Sequence, residues 1–296
     1  MCELLGIDSS VPVDIAFSFS GFVLRGGHTG PHADGWGVSL YQNRFARTFR
    51  EAKPAYASPL TRFLHDNPIE TRLAVAHIRK MTLGEAKLEN THPFVRVFQR
   101  RHMVFAHNGT LLHVREKPLR YESPLGDTDS EHAFCWMLEQ LRASYPEGYP
   151  EDPAALGETI FALANELGSD GILNFLLADG KFLFARCGDN LCHIVRRPPL
   201  GQATLVDAEM QVNFADVMRG PGPIAVVATQ PLTRDETWVK ATPGTLWVFS
   251  DGELVKTFEG LPEAAEIAVT AWRPGANHSP VASFVPTGER ATMTSP

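Results

Sequence analysis

The apolar residues of this chain change their period twice, and that pattern restricts the folds open to it. Up to about residue 111, short runs rich in Val, Ile and Phe alternate with turn residues. "CELLGI", "RLAVAHIRK" and "HMVFAHNGTL" read as strands, and "GWGVSLYQNRFARTF" reads as a hairpin turning near Gln42 and Asn43. "VDIAFSFSGFVL" reads as a short helix between them. In "DTDSEHAFCWMLEQLRASY" the residues Phe134, Met137, Leu138 and Leu141 stand at helical spacing. Thr128, with Glu131 three residues on, fits a capping box that starts this helix. "DPAALGETIFALANELGS" gives a second helix, with Gly168 as the expected residue just past its end. Strands then return, with Asp179-Gly180 and Asp251-Gly252 as hairpin signals. The order is strands, two helices, strands, and no linker divides it. The expectation is one domain over residues 2–260, its two strand groups forming two packed sheets. From Leu261 the pattern decays into Pro, Ser, Thr and Gly, so 261–296 is expected to be a surface strap or a poorly ordered tail.

Bulk properties narrow the function. The chain has 296 residues and a formal net charge of −7. That acidic balance argues against nucleic acid and against an anionic membrane surface as partners. No apolar run approaches the ~20 residues of a spanning helix, and the start lacks a basic segment followed by an apolar one. The cytosol is the expected compartment. The four cysteines, Cys2, Cys135, Cys187 and Cys192, form neither a disulfide framework nor a zinc-ligand spacing.

Several stretches could carry chemistry. Cys2 follows the initiator methionine, and removal of Met1 would leave a thiol and a free α-amine on one residue, a nucleophile and a base on one carbon. "AHIRKMT" offers Arg79, whose planar fork suits a carboxylate, and the Thr82 hydroxyl. Asn108-Gly109 in "FAHNGTL" reads as a tight hairpin turn, as an oxyanion hole made of an amide and a backbone N–H, or as both. "GDTDSE" places Asp127, Asp129 and Glu131 at a helix start, where carboxylates complement the dipole and could receive an ammonium. "RGGHTGPHADGWG" is neither a phosphate loop nor a dinucleotide fingerprint. Its His28 and His32 would need a helix to share a metal, which the Gly and Pro content opposes. His77, His92 and His107 read as structural, hydrogen-bonding residues near strand ends.

Cys2, "HADGWG", "AHIRKMT", "THPF", "AHNGTL" and "GDTDSE", in this order, resemble the class II, N-terminal nucleophile glutamine amidotransferases, and most of all their stand-alone bacterial subgroup. The likeness extends through "NFLLADG" and "VVATQPL", so it spans roughly residues 2–260. The resemblance implies an α+β fold, the four-layer αββα sandwich of the N-terminal nucleophile hydrolases, with no cofactor and no metal. It implies Cys2 as nucleophile, Asn108 and the Gly109 N–H as oxyanion hole, Arg79 and Thr82 on the substrate α-carboxylate, and Asp129 on its α-ammonium. Three positions depart from the synthases of the family: Glu3 replaces Gly, Lys80 replaces Trp and Leu83 replaces His, so the pocket floor is expected to differ. Three functions stay open. The first is glutaminase-type hydrolysis of glutamine, its ammonia passing to a partner synthase that lies elsewhere. The second is a γ-glutamyl amide or peptide hydrolase acting on a larger substrate. The third is a non-catalytic binding module.

Overall fold

Fifteen strands and four α-helices build the part of the chain that the computed structural model describes, residues 2–81, 86–214 and 220–260. The strands are β1 (Glu3–Val13), β2 (Trp36–Gln42), β3 (Phe45–Glu51), β4 (Thr71–Ile78), β5 (Phe94–Phe98), β6 (Arg101–Leu111), β7 (Gly171–Ala178), β8 (Phe182–Arg186), β9 (Cys192–Arg196), β10 (Gln202–Thr204), β11 (Gln211–Asn213), β12 (Ile224–Ala228), β13 (Val239–Lys240), β14 (Leu246–Ser250) and β15 (Glu253–Phe258). The helices are α1 (Ala16–Leu24), α2 (Pro59–Asp66), α3 (Asp129–Ser144) and α4 (Pro153–Gly168).

The paired strands run antiparallel in two main sheets. One is seven-stranded, in the order β13-β9-β12-β1-β4-β2-β3, and the other six-stranded, in the order β15-β14-β8-β7-β6-β5. Three buried clusters separate four layers. Phe19, Phe22 and Leu64 of α1 and α2 pack on Leu5, Ile7, Ala74 and Val226 of the seven-stranded sheet. Leu4, Val75 and Val227 of that sheet meet Val104, Ala106, Leu176 and Phe249 of the other. Phe134, Leu138, Ile160 and Leu167 of α3 and α4 cover Phe105, Phe175 and Val248 on the outer face of the six-stranded sheet. The layer order is therefore αββα, and the fold is of the N-terminal nucleophile hydrolase type.

Local signals act as expected at several points. Thr128 caps α3 by accepting from Glu131 N–H at 3.2 Å. The reciprocal half of a capping box is absent, because the Glu131 carboxylate accepts from Gly126 N–H at 2.7 Å and pairs with Arg96 at 2.5 Å. Asn43, Gly180, Asp251 and Gly252 turn their hairpins with φ of 58°, 91°, 50° and 80°.

Other expectations are corrected. The two strand groups do not each make one sheet: β1 pairs with β12 on one side and β4 on the other, and β6 pairs with β5 and β7, so each sheet draws on both ends of the chain. Asn108-Gly109 is no hairpin turn. It lies within β6, where β7 pairs straight through it (Asn108 opposite Asn174, Gly109 opposite Leu173) and removes any need to reverse. Gly168 is the last residue of α4, not the first beyond it, and Ser169 closes the helix. The expected tail, 261–296, lies outside the described residues.

Candidate active site

Strand parity brings the site together. Leu4 of β1 points between the sheets while Leu5 and Ile7 point to the helices, so Cys2 shares the inner face with Leu4. In β6, Val104 and Ala106 point inward, and Asn108 continues that row. The two inner faces oppose each other, which sets Cys2 against a residue 106 positions away. Cys2 N–H donates to Asn108 Oδ1 at 2.9 Å, and Asn108 Nδ2 donates to the Cys2 carbonyl at 2.7 Å. Among the described residues the second Nδ2 hydrogen meets no acceptor. Behind Asn108, Asn174 Nδ2 donates to its carbonyl at 3.0 Å and to Asp189 at 2.7 Å. Asn174 Oδ1 meanwhile accepts from Gly188 N–H at 2.8 Å and Asp189 N–H at 3.1 Å. Asn174 thus stiffens the strand that carries Asn108 from below, a role visible in sequence only as the Asn of "NFLLADG".

Cys2 as a residue is half-buried. The Lys80 N–H donates to Sγ at 3.3 Å, and Sγ lies 3.4 Å from the Lys80 carbonyl. Burial pushes the Cys2 thiol up, opposed by the Lys80 backbone bond and the Arg79 charge, while the Glu3 charge adds to the rise. Arg79 is buried just past β4, its N–H bound to Gly35 O at 2.8 Å and its carbonyl to Asp34 N–H at 3.2 Å. The Asp34 carboxylate accepts from Met81 N–H at 2.8 Å. Asp34, hidden in "HADGWG", therefore holds the segment that flanks the sulfur.

Gly109 has no room for a side chain, since a Cβ would stand 1.8 Å from the Ile172 carbonyl oxygen. Asp129 opens α3. It accepts from Leu111 N–H at 2.8 Å, from Ser130 N–H at 2.8 Å and from Ser130 Oγ at 3.2 Å. Its carboxylate ties the end of β6 to the helix, and these bonds fill three of its roughly four acceptor positions. Thr82 and Leu83 lie outside the described residues.

The three histidines divide. His107 fits the structural reading, with Nδ1 2.8 Å from Ser130 Oγ and Nε2 3.1 Å from Ile172 O. His77 and His92 are buried with ring centroids 4.3 Å apart and planes tilted by 40°, but their ring nitrogens reach no hydrogen-bond partner among the described residues, so the hydrogen-bonding expectation fails for them. Burial pushes His77 down to about 3, helped by the neighbouring His107 and Arg79 charges and opposed by a loose contact with the His107 backbone. His92 is pushed well down by burial as well. Both are neutral packing groups, too weakly basic for general-base work at neutral pH. His28 stacks on Tyr56 at 4.4 Å, and no group of three metal-ligating side chains assembles among the described residues. No helix among these residues is long and apolar enough to cross a membrane.

Residues 1–271 match the family model described as "Glutamine amidotransferases class-II". The chain is 46% identical over 255 residues to an Escherichia coli (strain K12) protein named "Putative glutamine amidotransferase YafJ", covering 86% of this chain and all of that one. It is similar to the crystal structure of a predicted glutamine amidotransferase from Pseudomonas aeruginosa, with 34% identity, a TM-score of 0.67, and coverage of 86% of this chain and 100% of that one. The glutamine phosphoribosylpyrophosphate amidotransferase of B. subtilis, at 13% identity and a TM-score of 0.55, shares the fold over 87% of this chain and 49% of its own.

Proposed function

The chain belongs to the class II glutamine amidotransferases, and from that premise we propose that it hydrolyses a glutamine γ-amide through a Cys2 γ-glutamyl thioester. The observation that carries this is the reciprocal pair between Cys2 and Asn108, at 2.9 and 2.7 Å, with the sulfur flanked by the Lys80 backbone. Once Met1 is removed, the nitrogen bound to Asn108 Oδ1 becomes an α-amine of ordinary pKa ~7.7–8.0, suited to proton transfer near neutral pH. Through a water it takes the thiol proton as sulfur attacks the amide carbon. The free Nδ2 hydrogen of Asn108 and the Gly109 N–H receive the oxyanion. The C–N bond breaks, the leaving nitrogen takes the proton, and ammonia departs to an acceptor on a partner synthase. Water, deprotonated by the same amine, then attacks the thioester and frees the carboxylate and the thiol. Arg79 and Thr82 hold the substrate α-carboxylate, and the remaining acceptor position of Asp129 takes its ammonium.

The test is intact-mass analysis of the processed protein with a diazoketone glutamine analogue, beside turnover assays on glutamine and on γ-glutamyl amides. We expect one adduct per chain, absent in Cys2→Ala and retained in Cys135→Ala, Cys187→Ala and Cys192→Ala. Full turnover by a chain that keeps Met1 would refute the mechanism. Fast turnover of a larger γ-glutamyl amide with none of glutamine, with or without co-purifying proteins, would replace the amidotransferase reading by a γ-glutamyl hydrolase.

A further inference from the structure

The loop from Arg25 to Gly35, which carries the glycine-rich stretch, has so far contributed only Asp34 and Gly35 at its far end. Those two bind the Arg79–Met81 segment whose Lys80 flanks the sulfur. Its near end reaches the other wall of the nucleophile. Arg25, the C-cap residue of α1, is buried and pairs through Nη1 with Glu3 Oε2 at 3.2 Å, and Glu3 is the next residue after Cys2. The same guanidinium binds Asp207 Oδ2 at 2.8 Å through Nε, Gln230 O at 3.2 Å and Pro231 O at 2.6 Å. Thr29 Oγ1 donates to the other Asp207 oxygen at 2.8 Å, and the Arg25 carbonyl lies 3.2 Å from His32 Nδ1.

We propose that the buried Glu3–Arg25–Asp207 bridge is a positioning unit for the nucleophile, pinning the only covalent neighbour that Cys2 keeps once Met1 is gone. This rests on Cys2 being the nucleophile. A chain terminus frays unless it is tied down, and a terminal residue is held through one peptide bond only. By strand parity the Glu3 side chain points to the helix side while Cys2 points between the sheets, so the bridge grips the strand from behind without entering the substrate space. At this position a glycine offers no such grip. Arg25 and Asp34, nine residues apart on one loop, thus fix both walls of the thiol, Glu3 and Lys80.

The charges facing these groups are few. The N-terminal ammonium, Arg79 and Glu3 act on the Cys2 thiol, the first two lowering and the last raising its pKa. Arg25, His32 and Asp207 act on Glu3, whose carboxyl is pushed up by burial and drawn back by Arg25. Cys192 of β9 also faces Arg25 and Glu3, but burial pushes its thiol up to about 12 and leaves it neutral.

The experiment compares the processed full chain with Glu3→Gln, Arg25→Gln and Arg25→Lys. It reads kcat and KM on a γ-glutamyl amide, melting temperature, and the pH dependence of Cys2 alkylation by iodoacetamide, located by peptide mass. We expect kcat to fall on the order of 10²-fold in both Gln variants with KM little changed, as for a small misplacement of a reacting group. The alkylation midpoint moves down in Glu3→Gln, which removes a negative neighbour. It moves up in Arg25→Gln, which uncovers one, and returns toward wild type in Arg25→Lys. A lower melting temperature with unchanged kcat per folded molecule and unmoved midpoints would overturn the proposal and leave the bridge purely structural. If Arg25→Gln does not fold, the near-isosteric Glu3→Gln decides alone. If the wild type turns over no γ-glutamyl substrate, the proposed function fails, while the alkylation midpoints still decide this inference.

Discussion

Replacing Asn108 separates its two duties. Its side chain holds Cys2 by accepting at 2.9 Å and donating at 2.7 Å, and its spare hydrogen is assigned to the oxyanion. Asn108→Ala removes both bonds, at a net ~1 kcal/mol of stability each, and removes one oxyanion donor, which lowers kcat by ~10²–10³. Water can enter the space left behind. Asn108→Asp keeps the shape and the acceptor toward the Cys2 nitrogen, but sets two acceptors against each other where Nδ2 donated to the Cys2 carbonyl. It also sets a carboxylate where the oxyanion must form, and two unit charges about 4 Å apart cost ~4 kcal/mol at an effective dielectric constant near 20. That cost adds to the lost donor, so the isosteric variant is the slower of the two by a further ~10²-fold or more. The assay is single-turnover acylation of Cys2 at pH 7.5 on both variants, with thermal melts alongside. An Asn108→Asp enzyme within tenfold of wild type, or faster than Asn108→Ala, would refute the assignment of the oxyanion to this amide.

Two further outcomes follow from the same structure. Asp8, buried between the sheets and bound by Gly252 N–H at 2.6 Å, has its carboxyl pushed up to about 7 by burial, with Asp251 and Asp179 adding to the rise. A raised carboxyl contributes its stability below the unfolded value of ~3.9 and loses it as pH rises through the folded value, so Asp8→Asn gains roughly 2–3 kcal/mol over wild type between pH 5 and pH 8. Urea melts at the two pH values check this, and a constant difference between the proteins would contradict it. Gly109→Ala forces β6 off the Ile172 carbonyl, which its Cβ would approach to 1.8 Å. The expected cost is ~3 kcal/mol or more in stability together with loss of turnover, and a crystal structure with β6 and β7 undisturbed would disprove it.

How much of this was legible beforehand varies from element to element. The Thr128 cap, the turns at Asn43, Asp179-Gly180 and Asp251-Gly252, and the helical spacing of α3 are interactions among residues at most a few positions apart, and the sequence alone determined them. The ordered motifs from Cys2 to "GDTDSE" likewise marked the family. Tertiary structure alone decided the rest. β1 takes β12, more than 200 residues away, as one neighbour, and no local signal names a partner at that distance. Asn108-Gly109 carries the strongest short hairpin signal, yet pairing with β7 along its whole length keeps it extended. His77 and His92 are polar by composition, but the tertiary structure buries both, and that burial makes them neutral packing groups. Glu3 reads as one charged residue in an apolar strand until Arg25 and Asp207 are brought beside it. Side-chain parity along one strand is written in the sequence. Which strand faces it across the sandwich is fixed only when apolar faces from distant segments bury each other, and that choice puts Cys2 against Asn108.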